Sequence, residues 1–263
     1  MTDTFTIDEG SVPLLVSVPH DGRRIPPEIA ATMTDAGRSI PDTDWHVARL
    51  YAFVRKLGAF TIRAEYSRYV VDLNRPPDDT RLYGGRFGTG LCPAQTFAGD
   101  EIYLEDTAVD LASRTSGYWE PYHDALAGLL AGLCKRFGYA LLWDAHSIAS
   151  RIPRLFDGEL PALNIGTFDG RSCDSLLCTA VLAAAEAGPY DVVLNGRFKG
   201  GYITRHYGRP EQGVHAIQLE LAQRTYMDEV TREFDDTKAS LLGDTLTRML
   251  TALLDNAAEL ARK

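Results

Sequence analysis

Several features that would place the chain in a large functional class are missing. Its four cysteines, Cys92, Cys134, Cys173 and Cys178, form no CxxC pair and show no zinc-finger spacing, so they are expected to be free and mostly buried thiols. No apolar run approaches the roughly 20 residues needed to cross a bilayer. The opening MTDTFTIDEG is acidic and lacks the basic, then apolar, pattern of an export signal, which gives a cytoplasmic address as the expectation. Positive charge is in deficit. With 27 Lys and Arg against 36 Asp and Glu, the net charge is −9, which argues against a general affinity for nucleic acid. There is no glycine-rich dinucleotide fingerprint, Walker loop, HExxH or GxSxG elbow, so dinucleotide, ATP and serine-hydrolase chemistry have no motif behind them.

What is present fits one α/β domain of 263 residues, long enough to bury a substantial core. Arginines gather locally at Arg63, Arg68, Arg75, Arg81 and Arg86, and again at Arg197, Arg205 and Arg209. A small anionic partner would be held by such a local positive pocket against an acidic overall field.

Periodicity divides the chain. Leu14 to Val18 reads as a buried strand stopped by Pro19, and from Asp44 the spacing of Val47, Leu50, Tyr51, Val54 and Leu57 turns helical until Gly58. Ala59 to Ala64 and Tyr69 to Asp72 read as strands, followed by an irregular, glycine- and arginine-rich segment from Leu73 to Gly99 that suits a binding site. Glu101 to Phe137 is helical by pattern, in two pieces broken near Ser116 and Gly117. Strands are then expected at Ala140 to Trp143, Ala162 to Ile165, Val192 to Leu194 and Val214 to Leu221. Helices are expected at Cys173 to Ala187 and from Thr231 to Arg262, with Leu242, Leu246, Met249, Leu253 and Leu260 on one stripe. The order predicts a three-layer α/β/α sandwich around a mixed sheet.

Three segments carry candidate chemistry at the ends of apolar runs: Val16-Ser-Val-Pro-His20, Leu142-Trp-Asp-Ala-His-Ser147 and Ala216-Ile-Gln-Leu-Glu220. Two imidazoles and a carboxylate from separate strands can converge on one metal ion and leave a coordination position for water. On a continuing strand Asp144 and His146 face the same side, the arrangement of a metal-bound imidazole with a carboxylate behind it. The plainer reading is a capping aspartate and a hydrogen-bonded core histidine. Glu220 lies between Leu219 and Leu221, where burial is costly without a partner. Asn74 and Arg75 place an amide and a planar guanidinium beside the glycine-rich segment, suited to a carboxylate or, more plainly, to a salt bridge with Asp72, Asp78 or Asp79. Thr204-Arg205-His206 follows Gly200-Gly201, which allows close backbone approach to a ligand, or is a surface turn. His46 reads as structural, while His123 and His215 are open between packing and site contact.

Seven stretches taken together resemble the N-formylglutamate amidohydrolases, in particular the deformylases of histidine breakdown. They are Ser17-Val-Pro-His-Asp-Gly22, Asp42-Thr-Asp-Trp-His-Val47, Tyr69-Val-Val-Asp-Leu-Asn-Arg-Pro76, Tyr118-Trp-Glu-Pro-Tyr-His123, Asp144-Ala-His-Ser147, Gly200-Gly-Tyr-Ile-Thr-Arg-His-Tyr-Gly208 and Val214-His-Ala-Ile-Gln-Leu-Glu220. The resemblance implies a phosphorylase/hydrolase-like fold related to zinc carboxypeptidases. It implies one Zn2+ per chain, or another divalent ion such as cobalt, nickel or iron, held by His20, His146 and a third ligand. The carboxypeptidase pattern has a ligand glutamate three residues after the first histidine, and this chain has Arg23 there. Asp44 is the third ligand the resemblance implies, with Asp21 and Asp144 as alternatives. It further implies Glu220 as general base and Asn74, Arg75, Arg205 and His206 as contacts to a small dicarboxylate substrate, N-formyl-L-glutamate. The alternatives are a zinc carboxypeptidase or another N-acyl-amino-acid deacylase, and a dicarboxylate-binding module with structural zinc. Oligomeric state is not written in the sequence.

Overall fold

The computed structural model describes residues 3–80 and 88–260. Arg81, Arg86 and the expected helix end at Arg262 lie outside them, as does the side chain of Leu260. Within them the strands are β1 (Phe5–Asp8), β2 (Leu14–Val18), β3 (Phe60–Ala64), β4 (Ala140–Ile148), β5 (Leu163–Gly166), β6 (Val192–Leu194) and β7 (Val214–Ala222). The helices are α1 (Pro27–Ala30), α2 (Asp35–Arg38), α3 (Val47–Leu50), α4 (Leu111–Arg114), α5 (Glu120–Phe137), α6 (Ser175–Glu186), α7 (Tyr202–Tyr207) and α8 (Asp236–Leu260).

The strands form one sheet in the order β1-β3-β2-β4-β7-β5-β6. Pairing is parallel through β3, β2, β4 and β7, and antiparallel where β1 meets β3 and β5 meets β7. The mixed sheet carries helices on both faces, as the sequence predicts. Alternation along the central strands sorts their side chains: Leu14, Val16, Leu141 and Trp143 pack with α6 and α8 on one face. Leu15, Ala140, Leu142 and Ala216 pack with Tyr122, Leu126, Leu130 and Leu133 of α5 on the other. β4 and β7 are buried on both faces, and this explains their nearly unbroken apolar sequences.

Several expected elements differ. Tyr69–Asp72 is not a strand but a buried turn, with Val70 N–H donating to Ser67 C=O and Asp72 N–H to Leu91 C=O. Its valines imitate a strand because they are buried, without any ladder to join. Residues 101–110 are irregular, and the helical chain begins at Leu111, where the Asp110 side chain accepts from Ser113 N–H. No break occurs at Ser116 and Gly117, because a π-helical turn over Thr115–Trp119 carries the chain from α4 into α5. The last helix starts at Asp236 rather than Thr231, and β1 and the short helices α1, α2 and α7 had no expected counterpart.

Candidate metal centre at the carboxyl end of the sheet

Parallel pairing aligns the carboxyl ends of β2, β4 and β7, and the candidate residues emerge there. His146 on β4 stands directly across from Glu220 on β7 in the register. His20 follows β2 by two residues, and its carbonyl accepts from Asp44 N–H at 3.0 Å, which ties the segment before α3 to the same point. Ligand atoms of His20, Asp44 and His146, all buried, lie within 4.8 Å of one another.

The hydrogen bonds fix what these atoms can do. His20 Nε2 lies 2.8 Å from Asp72 Oδ1, so the ring proton belongs on Nε2 and the lone pair on Nδ1. That Nδ1 is buried without a hydrogen-bond partner, 3.7 Å from Asp44 Oδ2. His146 is held on both sides, with Nε2 3.0 Å from both Asp144 Oδ2 and Asn74 Nδ2, and Nδ1 3.1 Å from Asp44 Oδ2. Both Nδ1 atoms thus face one carboxylate oxygen, and His20 Nδ1 is left unsatisfied there, a convergence that a cation between them would satisfy. In the protein without metal a proton serves this purpose at His146. Burial alone would lower its pKa, but the Asp144 and Asp44 carboxylates carry it well above the usual histidine value. Burial likewise opposes ionisation of Asp44, yet the hydrogen bond from His146 and the nearness of the His20 ring hold it below the ordinary carboxylate range. Two nitrogens and an oxygen, each imidazole backed by a carboxylate, fit a divalent ion of the zinc type.

Asp72 and Arg68 also belong to this centre, where the sequence offers Asp72 only as a partner for Arg75 and Arg68 only as one of a cluster of arginines. Arg68 is buried, with Nη2 2.6 Å from Asp72 Oδ2 and Nη1 3.8 Å from Asp44 Oδ1. Although burial would raise Asp72, the Arg68 guanidinium and then His20 hold it well below the usual carboxylate range. A signal was available, since Asp72 sits between Val71 and Leu73 as Glu220 sits between leucines. Asp21 accepts from the N–H groups of His46 and Ala48 and so caps the start of α3. Asp144 stands behind His146. Of the three candidate aspartates, Asp44 is the one grouped with both histidines.

Glu220 faces the cavity that His20 and His146 line. Burial pushes its carboxyl up to about 8, and Gln218 Nε2 donates to its Oε2 at 3.2 Å. Asn74 is buried and committed to the scaffold: its Oδ1 accepts from Ile203 N–H at 2.8 Å, and its Nδ2 reaches Asp144 Oδ2 at 3.4 Å. Gly201 makes this packing possible, since a Cβ there would stand 2.3 Å from Asn74 Nδ2. Arg75 lines the cavity, its guanidinium oriented by Thr89 C=O at 2.8 Å and Thr89 Oγ1 at 2.9 Å. Arg197 lines it too, with Nε donating to Leu155 C=O at 2.8 Å. Arg205 and His206 are on α7 and do not line this cavity: Arg205 lies over the Phe168 ring and donates to Gly200 C=O, while His206 stacks on Tyr202. His123 is a packed histidine whose Nε2 donates to Leu73 C=O at 2.9 Å. His46 is held by Arg232 C=O, and His215 Nδ1 accepts from Asp174 N–H.

The chain also has counterparts among known proteins. A family model described as N-formylglutamate amidohydrolase matches residues 12–227. An N-formylglutamate deformylase of Pseudomonas aeruginosa is 54% identical over 235 residues, covering 87% of each chain. One from Pseudomonas putida is 48% identical over 264 residues, covering 98% of each. The crystal structure of an N-formylglutamate amidohydrolase from Ralstonia eutropha superposes with a TM-score of 0.82 at 27% identity, covering 98% of both chains.

Proposed function

Because the chain belongs to the N-formylglutamate amidohydrolase family, we propose that it hydrolyses N-formyl-L-glutamate to formate and L-glutamate, with one zinc ion held by His20, Asp44 and His146. The observation that carries the metal is the convergence of the two imidazole Nδ1 atoms on Asp44 Oδ2, with His20 Nδ1 unpartnered. Held by His20, Asp44 and His146, a divalent ion would supply Lewis-acid polarisation of the substrate carbonyl and a water more easily deprotonated near neutral pH.

The protein's own groups supply the rest. Glu220, across from His146 and raised toward neutrality by burial, is the general base: it accepts a proton from the attacking water and delivers it to the departing amine. Arg75 is an anchor for one substrate carboxylate. For the second, position favours Arg197, which lines the cavity, over Arg205, which does not. Asn74 fixes the backbone that presents Arg75 and supports Asp144 behind His146. The whole is read as one domain, since the family match and the sheet both run through the site. A role in histidine breakdown follows from the likeness to the deformylases.

The test is formate release from N-formyl-L-glutamate by protein stripped of metal and then given zinc. Activity should vanish and return, and Glu220→Gln should lower turnover by about 100-fold or more with metal content intact. Equal turnover with and without metal would overturn the metal, and full activity of Glu220→Gln would remove it as base.

A further inference from the structure

The site cavity has one wall that the reading above does not use. Its lining is mostly charged or polar, but Phe97, Ile148, Leu155 and Phe198 are apolar. Two of these belong to the anion-binding side: Arg197 donates to Leu155 C=O, and its guanidinium lies 5.3 Å from the Phe198 ring centre. The other two are on the metal side. Ile148 lies two residues beyond His146 on β4 and therefore on the same face. The Phe97 ring lies 5.0 Å from the Arg68 guanidinium that supports Asp72 and Asp44, and its N–H donates to Asp42 Oδ2 at 2.7 Å. Both side chains pack into one apolar cluster with Ile152 and Leu160.

Behind this wall is a second and larger space. A cavity of about 460 Å³ is bounded by Trp45, Ala98, Ala149 and Ile152, among others, and Phe97 and Ile148 line it as well. The site cavity itself measures about 60 Å³. Two side chains thus separate a narrow reacting space from a roomy one.

We propose that Phe97 and Ile148 set the upper size of the acyl group, closing the metal side of the site to anything larger than formyl. This rests on the reaction proposed above. The substrate carboxylates go to arginines and the scissile amide to the metal and Glu220, so the part left without a polar partner is the substituent on the acyl carbon. In a formyl group that substituent is a hydrogen, and it meets the one apolar part of the lining next to the metal ligands. Each added carbon would have to displace the Phe97 ring or the Ile148 side chain from a packed cluster, where overpacking is costly. Truncating either residue joins the two cavities and gives a longer acyl chain room to extend past Ile152 and Trp45.

The experiment measures kcat/KM for N-formyl-, N-acetyl- and N-butanoyl-L-glutamate with the zinc-loaded wild-type protein, Phe97→Ala and Ile148→Ala. A single methylene in a fitted pocket discriminates by about tenfold or more. The butanoyl-to-formyl ratio should accordingly rise at least fivefold in Phe97→Ala and change in the same direction in Ile148→Ala. Thermal-shift titration with N-butanoyl-L-glutamate gives a readout independent of turnover: the variants should be stabilised where the wild type is not. If Phe97→Ala does not fold, Phe97→Leu carries the same comparison. Ratios that change less than fivefold in folded variants, with no new binding, overturn the wall. Wild-type protein that leaves N-formyl-L-glutamate intact overturns instead the reaction on which the wall rests.

Discussion

His146 and His123 are both almost entirely buried, yet their surroundings drive them in opposite directions. His146 stands between the carboxylates of Asp44 and Asp144 and is pushed well above the ordinary histidine value against the effect of burial. His123 is stacked 3.7 Å from Trp119, with Nδ1 2.9 Å from the Tyr207 hydroxyl and Nε2 on the Leu73 carbonyl. No carboxylate compensates it, and burial takes it down to about 3. Burial opposes charge in both places; the partners decide whether the ring can carry charge or is locked neutral. One region suits a metal ion, while the other holds the chain through Leu73, next to Asn74 and Arg75, in place.

The sharpest way to break this contrast is to remove ligands from each region. His20→Ala or His146→Ala should bring metal content to background and lower formate release about 1,000-fold or more, since the open-site chemistry is lost. His123→Phe should retain one metal per chain. Equal metal loss in all three, by elemental analysis, would erase the distinction.

Next in size is the carboxylate behind each ring. Asp72→Asn and Asp144→Asn should weaken metal affinity by about 10- to 100-fold, measured by competition against a chromogenic chelator. Unchanged affinity would mean that orientation of the rings does not depend on them.

The two regions should also answer pH with opposite sign. Neutral His123 has a folded value of about 3 against an ordinary 6.5. The stability it contributes is therefore present above 6.5 and is lost as pH falls toward 3. The melting temperature of His123→Gln should accordingly drop less than that of wild type between pH 7 and 4, by about 5 °C. Glu220 has a folded value of about 8 against 4.5. In metal-free protein its contribution is complete below 4.5 and is lost as pH rises through 8, so Glu220→Gln should flatten a decline on the alkaline side. Parallel slopes in wild type and variants would remove both assignments. The smallest effect is expected at Arg205, outside the cavity, where Arg205→Ala should raise KM by less than about fivefold.

The residues legible in the sequence share one property: His20, His146 and Glu220 are polar groups at or inside apolar runs, where burial without function is expensive. Asp72 has the same property and was passed over, because Val70 and Val71 imitate a strand and Arg75 nearby offers a simpler partner. Arg68 stood out only as one of a cluster of arginines, since an arginine in a polar link looks the same in sequence whether it is exposed or buried between two aspartates. Arg205 followed two glycines that suggested close approach to a ligand. That approach is real, but at Gly201 it serves the packing of Asn74.

By itself the sequence determined which strands are buried on both faces, that the sheet is mixed with helices on either side, and which strand ends carry imidazole and carboxylate. Those properties follow from periodicity and the cost of burial, which act over a few residues. Tertiary structure alone decided that Asp44 rather than Asp21 joins the two histidines, that each ring is backed by its own aspartate, and that Phe97 stands beside Ile148. Such pairings join residues up to about a hundred positions apart, and only strand register and packing bring them within hydrogen-bond reach.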